Sequence, residues 1–311
     1  MSSLDERAYA LSSSANALVF RRHIEAKRLV DGTCPEKPRV WFTGGQPGAG
    51  KSVMAGKLGI FAGRGLEISA DAFRVDHPMW DDLLEEDDET AAFYTNWDAR
   101  IWVKRAAELL IERRWNVILD STLSDPNYAI EMIAKFKDAG YIAKVYFVAA
   151  PWAISLWSNV DRYRQLSGED DDNPRPARTC LRETYREVCQ GVLETAEAID
   201  QRAAPVDKVR VVRRRDGAVC HRNDADSNGN WVDDPYGGTT LALTQEQQRR
   251  WTHAETMQFI ADFSSLRAKM IKRGGEKWLA WFDDIEQLAI PVMAPGLTFP
   301  SRPASIASPN I

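Results

Sequence analysis

The sequence predicts an α/β protein: a parallel sheet flanked by helices, with a terminal β-hairpin and a helical C-terminal extension. Three observations predict it. Apolar strand-like runs alternate with helix-like segments from residue 39 to residue 149, the pattern of a parallel sheet with right-handed crossovers and helices on both faces. Two strand-like runs then flank Asp216-Gly217 in "DKVRVVRRRDGAVCHRN", a hairpin signal. Helical periodicity follows from Leu243 to about Leu288.

The elements follow in order. Residues 4–30 open with Leu4, Ala8, Leu11, Ala15 and Leu18 on one helical face, and the turn-rich "DGTCPEKP" ends that segment. "RVWFTGG" is an apolar strand running into a glycine turn, Lys51 to about Phe61 a helix, and "GLEISA" a second short strand. Residues 88–114 read as a helix and "WNVILDST" as the third strand. "DPNYAIEMIAKFKDAG" carries a proline near its first turn and a glycine past its end, each at its preferred place in a helix. "YIAKVYFVAA" is the fourth strand, and the polar "SGEDDDNPRPA" interrupts the helix-rich region after it. Four units result: an N-terminal helical segment (1–37), a core (38–240), a helical extension (241–290) and a Pro/Ser-rich tail (291–311) expected to be disordered.

The 311 residues are 44% hydrophobic and 27% charged, the composition of a soluble globular protein. A net charge of -5 argues against a nucleic-acid partner, which usually meets a basic surplus. Cys34, Cys180, Cys189 and Cys220 show no C-x-x-C spacing, so neither a zinc site nor a disulfide framework is expected and a reducing compartment fits. The N-terminus lacks a cationic-then-apolar signal layout and no apolar run reaches membrane length. The expected location is cytoplasmic, with no membrane partner.

Gly45-Gln46-Pro47-Gly48-Ala49-Gly50-Lys51-Ser52 fits G-x-x-x-x-G-K-[ST] in full, with the required strand before it and helix after it. The glycines let backbone N–H groups turn inward on phosphates, and the helix start adds unsatisfied donors and a positive dipole end. Lys51 can reach β/γ-phosphates and the Ser52 hydroxyl can ligate Mg2+. The core is therefore expected to be P-loop kinase-like, with these eight residues as its nucleotide site.

Parallel strands of β-α-β units end on one edge of the sheet, where ligands bind. The second strand delivers Asp71 to that edge and the third delivers Asp120. Such a pair suits phosphoryl transfer: one carboxylate accepts the attacking hydroxyl's proton, the other supports the metal or a second substrate contact. The alternative is that both merely cap the helices that follow.

"GGQPGAGKS", then "DAFRVDHP" at Asp71–Pro78, then "VILDST" ending in Thr122 resemble the zeta toxin family, the PezT-like P-loop kinases of epsilon–zeta toxin–antitoxin systems. "VDRYRQL" and the basic hairpin are also similar, and the resemblance runs from Arg39 to Asn223. It implies phosphorylation of the 3′-hydroxyl of the amino sugar in UDP-N-acetylglucosamine, with ATP or GTP and Mg2+ as donor. It also implies an antitoxin partner from a separate chain. By the resemblance Asp71 is the general base, Lys51 the γ-phosphate clamp, Ser52 the metal ligand and Arg162 of "DRY" a stabiliser of charge on the moving phosphoryl group. A second arginine is expected after a lid formed by "SGEDDDNP", with Arg178 in "PARTC" the first choice and Arg175 the other. Asp71, Phe73, Arg74 and His77 of the motif, with Asp120 and Thr122, are assigned to the substrate site, His77 as a structural hydrogen-bonder rather than a catalyst.

The chain departs from the family at three places. Asp120 stands where members carry glutamate, Ser124 where they carry arginine, and Lys104 and Arg105 where members can place an acidic contact to the sugar. These touch the acceptor more than the donor. A related P-loop kinase acting on a nucleotide cofactor such as NAD, an antibiotic or a polynucleotide end is the alternative. A nucleotide-dependent binding or regulatory module is the alternative of another class; such a switch needs no base like Asp71. Trp97, Trp102, Trp157, Trp278 and Trp281 are expected in the core, and "RVVRRR" is read as a strand with exposed arginines.

Overall fold

The computed structural model describes residues 5–57, 65–166, 182–233 and 238–300. The N-terminal helix begins later than its spacing predicts: α1 spans Ser13–Val19, continues as a π-helical stretch over Phe20–Glu25 and ends in the short α2, Ala26–Arg28. Ser12 Oγ accepts from the Ala15 amide and caps this start. Val19, Phe20, Ile24 and Leu29 are buried in the main apolar core, so the segment is part of that core.

β1 (Arg39–Gly44) is buried from Val40 onward, as a strand covered on both faces must be. It leads into α3 (Lys51–Lys57). Short β2 (Leu66–Ile68) is followed by α4 (Ala70–Phe73), α5 (Trp80–Glu86), α6 (Ala91–Tyr94) and the long α7 (Asn96–Glu112). The single helix expected over 88–114 is thus two. Then come β3 (Val117–Asp120), α8 (Pro126–Asp138), β4 (Ile142–Ala149), α9 (Trp152–Leu166) and α10 (Tyr185–Asp200). α8 starts where the proline placed it, with Asp125 accepting from the Tyr128 amide at 3.0 Å. β5 (Lys208–Arg213) and β6 (Val219–Asp224) precede α11 (Gly238–Gln247), α12 (His253–Gly274) and α13 (Leu279–Ala289).

The strands form one sheet in the order β2-β3-β1-β4-β5-β6. β1 to β5 pair in parallel and β6 returns antiparallel to β5 as the expected hairpin. The carboxyl ends of β1, β2 and β3 consequently share an edge, and the register sets Thr43 beside Asp120.

α9, α12 and α13 enclose a second, aromatic core containing Tyr163, Phe263, Trp278, Trp281 and Phe282. Trp102, Trp278 and Trp281 are buried as expected. Trp97 and Trp157 are only partly covered, and the Arg7 guanidinium lies 3.9 Å from the Trp97 ring centroid. The segment expected to be a disordered tail packs instead as far as residue 300. Val292, Met293 and Ala294 are buried, the Trp251 amide donates to Val292 O at 2.7 Å, and Phe299 lies 4.6 Å from Phe263 between ring centroids. Apolar contacts to the aromatic core outweigh the chain entropy that its Pro/Ser-rich composition favours. No helix among the described residues is long and apolar enough to cross a membrane.

Candidate active site

The loop after β1 adopts a conformation only glycines allow. Gly45, Gly48 and Gly50 have φ of 137°, 75° and 87°, in the region L side chains avoid. A Cβ on Gly48 would stand 2.0 Å from Ser155 O, so the loop lies directly against α9. Gln46 is buried and anchors it, donating from Nε2 to Ala150 O at 2.9 Å and Ser155 Oγ at 3.2 Å. The Gly45 amide donates to Thr122 O at 3.0 Å, which ties the loop to the exit of β3. Pro47 and buried Ala49 complete the turn, and Ser52 stands exposed on the first turn of α3.

Lys51 Nζ donates to Gly45 O at 2.9 Å. Burial pushes its pKa below the usual lysine value; Asp120 and Asp71 oppose that shift and Arg162 adds to it. Two cations and two carboxylates therefore sit close enough to act on one another.

Asp71 is not a helix cap. Ser69 Oγ takes that role on α4, accepting from the Ala72 amide at 3.0 Å. The Asp71 side chain is left 51% exposed, and its carboxylate meets Arg74 at 3.1 Å. Arg74 is buried and also donates to Ala92 O. Asp120 accepts a hydrogen bond from Thr43 Oγ1 of the neighbouring strand. Just beyond, Thr122 Oγ1 lies 2.8 Å from Ser124 Oγ, and Leu123 holds a φ of 53°, a strained value that clusters at functional sites.

Two cavities meet over these residues. One, of about 550 Å³, lies between the glycine loop and α9 and is lined by Gly48, Gly50, Ser52, Arg162 and Arg214 among others. The other, of about 280 Å³, lies between α4, α7 and the exit of β3, with Arg74, Asn96, Arg100, Thr122, Ser124 and Tyr128 in its wall. Lys51, Ser69, Asp71 and Asp120 line both. Burial pushes the Tyr128 phenol up to about 12, which keeps it a neutral hydrogen-bonding group.

Two assigned substrate residues lie behind this site rather than in it. Phe73 is buried in the main core. His77 is buried as well: its Nδ1 accepts from the Met79 amide at 3.2 Å, which leaves the ring proton on Nε2, 3.5 Å from Asp98 Oδ2. For Phe73 the cause is helical geometry: Asp71 on α4 and Arg74 at its end share one face at i, i+3, while Phe73 points to the core. Arg162 lines the larger cavity and donates to Asn159 Oδ1 at 3.0 Å. Arg178, its substitute Arg175 and the stretch expected to form a lid lie outside the described residues.

Sequence reasoning missed Arg214, Glu67 and Arg100. Arg214 follows β5 on the binding edge and donates to Gly48 O and, at 2.7 Å, to Ser158 Oγ; its place after a parallel strand was the available signal. Glu67 lines the larger cavity. Arg100 brings a cation to the smaller cavity, where Ser124 has none, and its guanidinium stands 5.3 Å from the Tyr128 ring. Lys104 lines neither cavity; its ammonium is 3.4 Å from Glu131 and 5.6 Å from the Tyr128 ring. Ser52, Glu67 and Asp120 put hard oxygen donors around the phosphate side of the site, a set that fits Mg2+ completed by phosphate and water oxygens. Among the described residues no cluster of three or more His, Cys, Asp or Glu would hold a metal by itself.

Comparison with known proteins points the same way. The zeta toxin family model matches residues 25–226. Toxin zeta of Enterococcus hirae is 24% identical over 180 residues, covering 57% of this chain and 59% of that protein. Toxin PezT of Streptococcus pneumoniae is 24% identical over 180 residues, 58% of this chain and 70% of that one. The match thus spans about three fifths of the length of toxin zeta. A solved structure from the PezAT chromosomal toxin–antitoxin system of Streptococcus pneumoniae superposes with a TM-score of 0.66 at 18% identity, covering 85% of this chain and 100% of that one. That likeness is one of fold.

Proposed function

Since the chain belongs to the zeta toxin family, we propose that it transfers the γ-phosphoryl group of ATP or GTP to a hydroxyl of a UDP-activated sugar such as UDP-N-acetylglucosamine. In this reading it is the toxin of a toxin–antitoxin pair and its protein partner is an antitoxin from a separate chain. The observation that carries the reading is the shared boundary of the two cavities. A glycine cradle opens on one side, a polar pocket on the other, and Lys51, Asp71 and Asp120 stand where they meet. A switch protein has no use for the second pocket.

The roles follow from position. Lys51 would exchange its bond to Gly45 O for the γ-phosphate, and Arg162 would offset charge on the moving phosphoryl group from the α9 side. Asp71, half-exposed at the boundary and oriented by Arg74, would accept the proton of the attacking hydroxyl. Asp120, Thr122 and the neutral Tyr128 would hold the acceptor. Ser52 with Asp120 and Glu67 would hold Mg2+, which when bound neutralises phosphate charge. Arg100, held at the rim by an exposed and therefore weak ion pair with Asp125 at 3.2 Å, would exchange that partner for the acceptor's phosphates, in place of the cation Ser124 cannot supply.

The test is incubation with ATP, Mg2+ and a panel of nucleotide sugars, NAD, antibiotics and polynucleotide ends, with products read by mass. A phosphate on UDP-N-acetylglucosamine or a close relative is expected. Transfer only to NAD, an antibiotic or a polynucleotide end would move the acceptor assignment, and ADP with no phosphorylated acceptor would overturn the kinase reading.

A further inference from the structure

A third cavity, of about 450 Å³, opens beside the phosphate side of the site, a size that suits a small-molecule pocket. Trp157 and Arg214 line both spaces, so the two cavities adjoin at these side chains. The far wall comes from Trp251, Ala254 and Phe259, in and just before α12 and outside the residues matched by the family model.

The chemistry of the wall selects its occupant. Trp251 and Phe259 are buried with ring centroids 4.7 Å apart, and Trp157 is half-buried at the entrance. Apart from Arg214 at the passage, the arginines of the wall are matched: Arg213 meets Glu246 at 2.9 Å, and Arg215 and Arg249 both meet Glu255, at 2.5 and 2.9 Å. Guanidinium groups paired in this way are poor receivers for another phosphate, whereas indole and phenyl surfaces suit a flat ring. The indole N–H groups of Trp157 and Trp251 are buried without an acceptor among the described residues, and a heterocycle carries ring nitrogens and carbonyls that accept hydrogen bonds.

We propose that this cavity receives the nucleobase of the phosphoryl donor, so that the C-terminal helices complete the donor site. The inference rests on the donor reading of the glycine cradle given above. It makes the extension part of the binding machinery and explains why an aromatic pocket adjoins a phosphate loop. Arg214, bonded to both Gly48 O and Ser158 Oγ, stands at the passage between triphosphate and base.

Equilibrium binding of ATP and of inorganic tripolyphosphate, each with Mg2+, to the full chain tests it. Tripolyphosphate probes the cradle alone. Ala254→Trp fills the cavity from an exposed position and spares the core; Trp251→Ala removes a stacking face. Both variants should weaken ATP about tenfold, the size of one base–aromatic stack, and leave tripolyphosphate unchanged. Equal losses for both ligands, or no loss of ATP binding in Ala254→Trp, would overturn the base assignment while leaving the cradle intact. A wild-type chain that binds neither ligand would sink the donor reading and this inference with it.

Discussion

Replacing Asp98 with alanine should destabilise the protein by about 2–6 kcal/mol, because it strands buried hydrogen-bond donors. The Asp98 side chain is 1% exposed. It accepts from the Leu11 amide at 3.0 Å and from Asn16 Nδ2, and it faces His77 Nε2. Alanine leaves the Leu11 and Asn16 donors stranded, each at about 1–3 kcal/mol, which together give that range. Against a typical total of about 5–15 kcal/mol, the loss is large. Urea denaturation of wild type, Asp98→Ala and Asp98→Asn measures it, with the asparagine variant expected to lose less because it keeps shape and an acceptor. A loss below about 1 kcal/mol with an unchanged m value would refute the reasoning. Acid provides a second reading. Burial alone would raise the Asp98 pKa, but the bonds from His77, Leu11 and Asn16 outweigh it and hold the carboxyl below its ordinary 3.8. A depressed folded pKa means the contribution is present above the unfolded value and lost as pH falls through the folded one. Wild type should therefore lose this contribution as pH falls below about 4, and Asp98→Asn should show a flatter acid limb.

Two more outcomes follow from packing. Truncation to Pro38 removes Val19, Phe20, Ile24 and Leu29 from the main core, at about 1.5–3 kcal/mol for each buried side chain, so the shortened chain should be insoluble or melt far lower; a stable truncation with much higher activity would point to self-inhibition instead. Gly48→Ala places a Cβ 2.0 Å from Ser155 O at a φ of 75°, so it should abolish nucleotide-induced thermal stabilisation, and an unchanged shift would contradict the cradle geometry.

The sheet and the cradle were legible in the sequence because both are local. Strand-helix alternation and a contiguous eight-residue loop carry their own physical signals. The start of α1 was not: its spacing runs from Leu4, but Leu11 is held by Asp98, 87 residues away, and no local pattern reports that. Residues 291–300 of the expected tail depart from the expectation for a related reason, since Met293 and Phe299 pack on an aromatic core assembled from distant helices. Of the motif, Asp71 and Arg74 line the cavities while Phe73 and His77 are buried behind them; adjacency in sequence says nothing about which way a side chain faces. Arg214 lies in the "RVVRRR" run, read there only as an exposed arginine of a strand, and Glu67 belongs to no motif. They reach the site only through the sheet order.

Phosphoryl transfer compared across wild type, Asp71→Asn and Lys51→Ala separates the proposed roles of base and clamp, with ATP binding measured beside product mass for each. Wild type should yield a phosphorylated nucleotide sugar. Asp71→Asn should bind ATP normally but transfer about 10²–10⁴-fold more slowly, and Lys51→Ala should lose both binding and transfer. Near-normal turnover by Asp71→Asn, or ADP formation by wild type with no acceptor gaining mass, would contradict these roles.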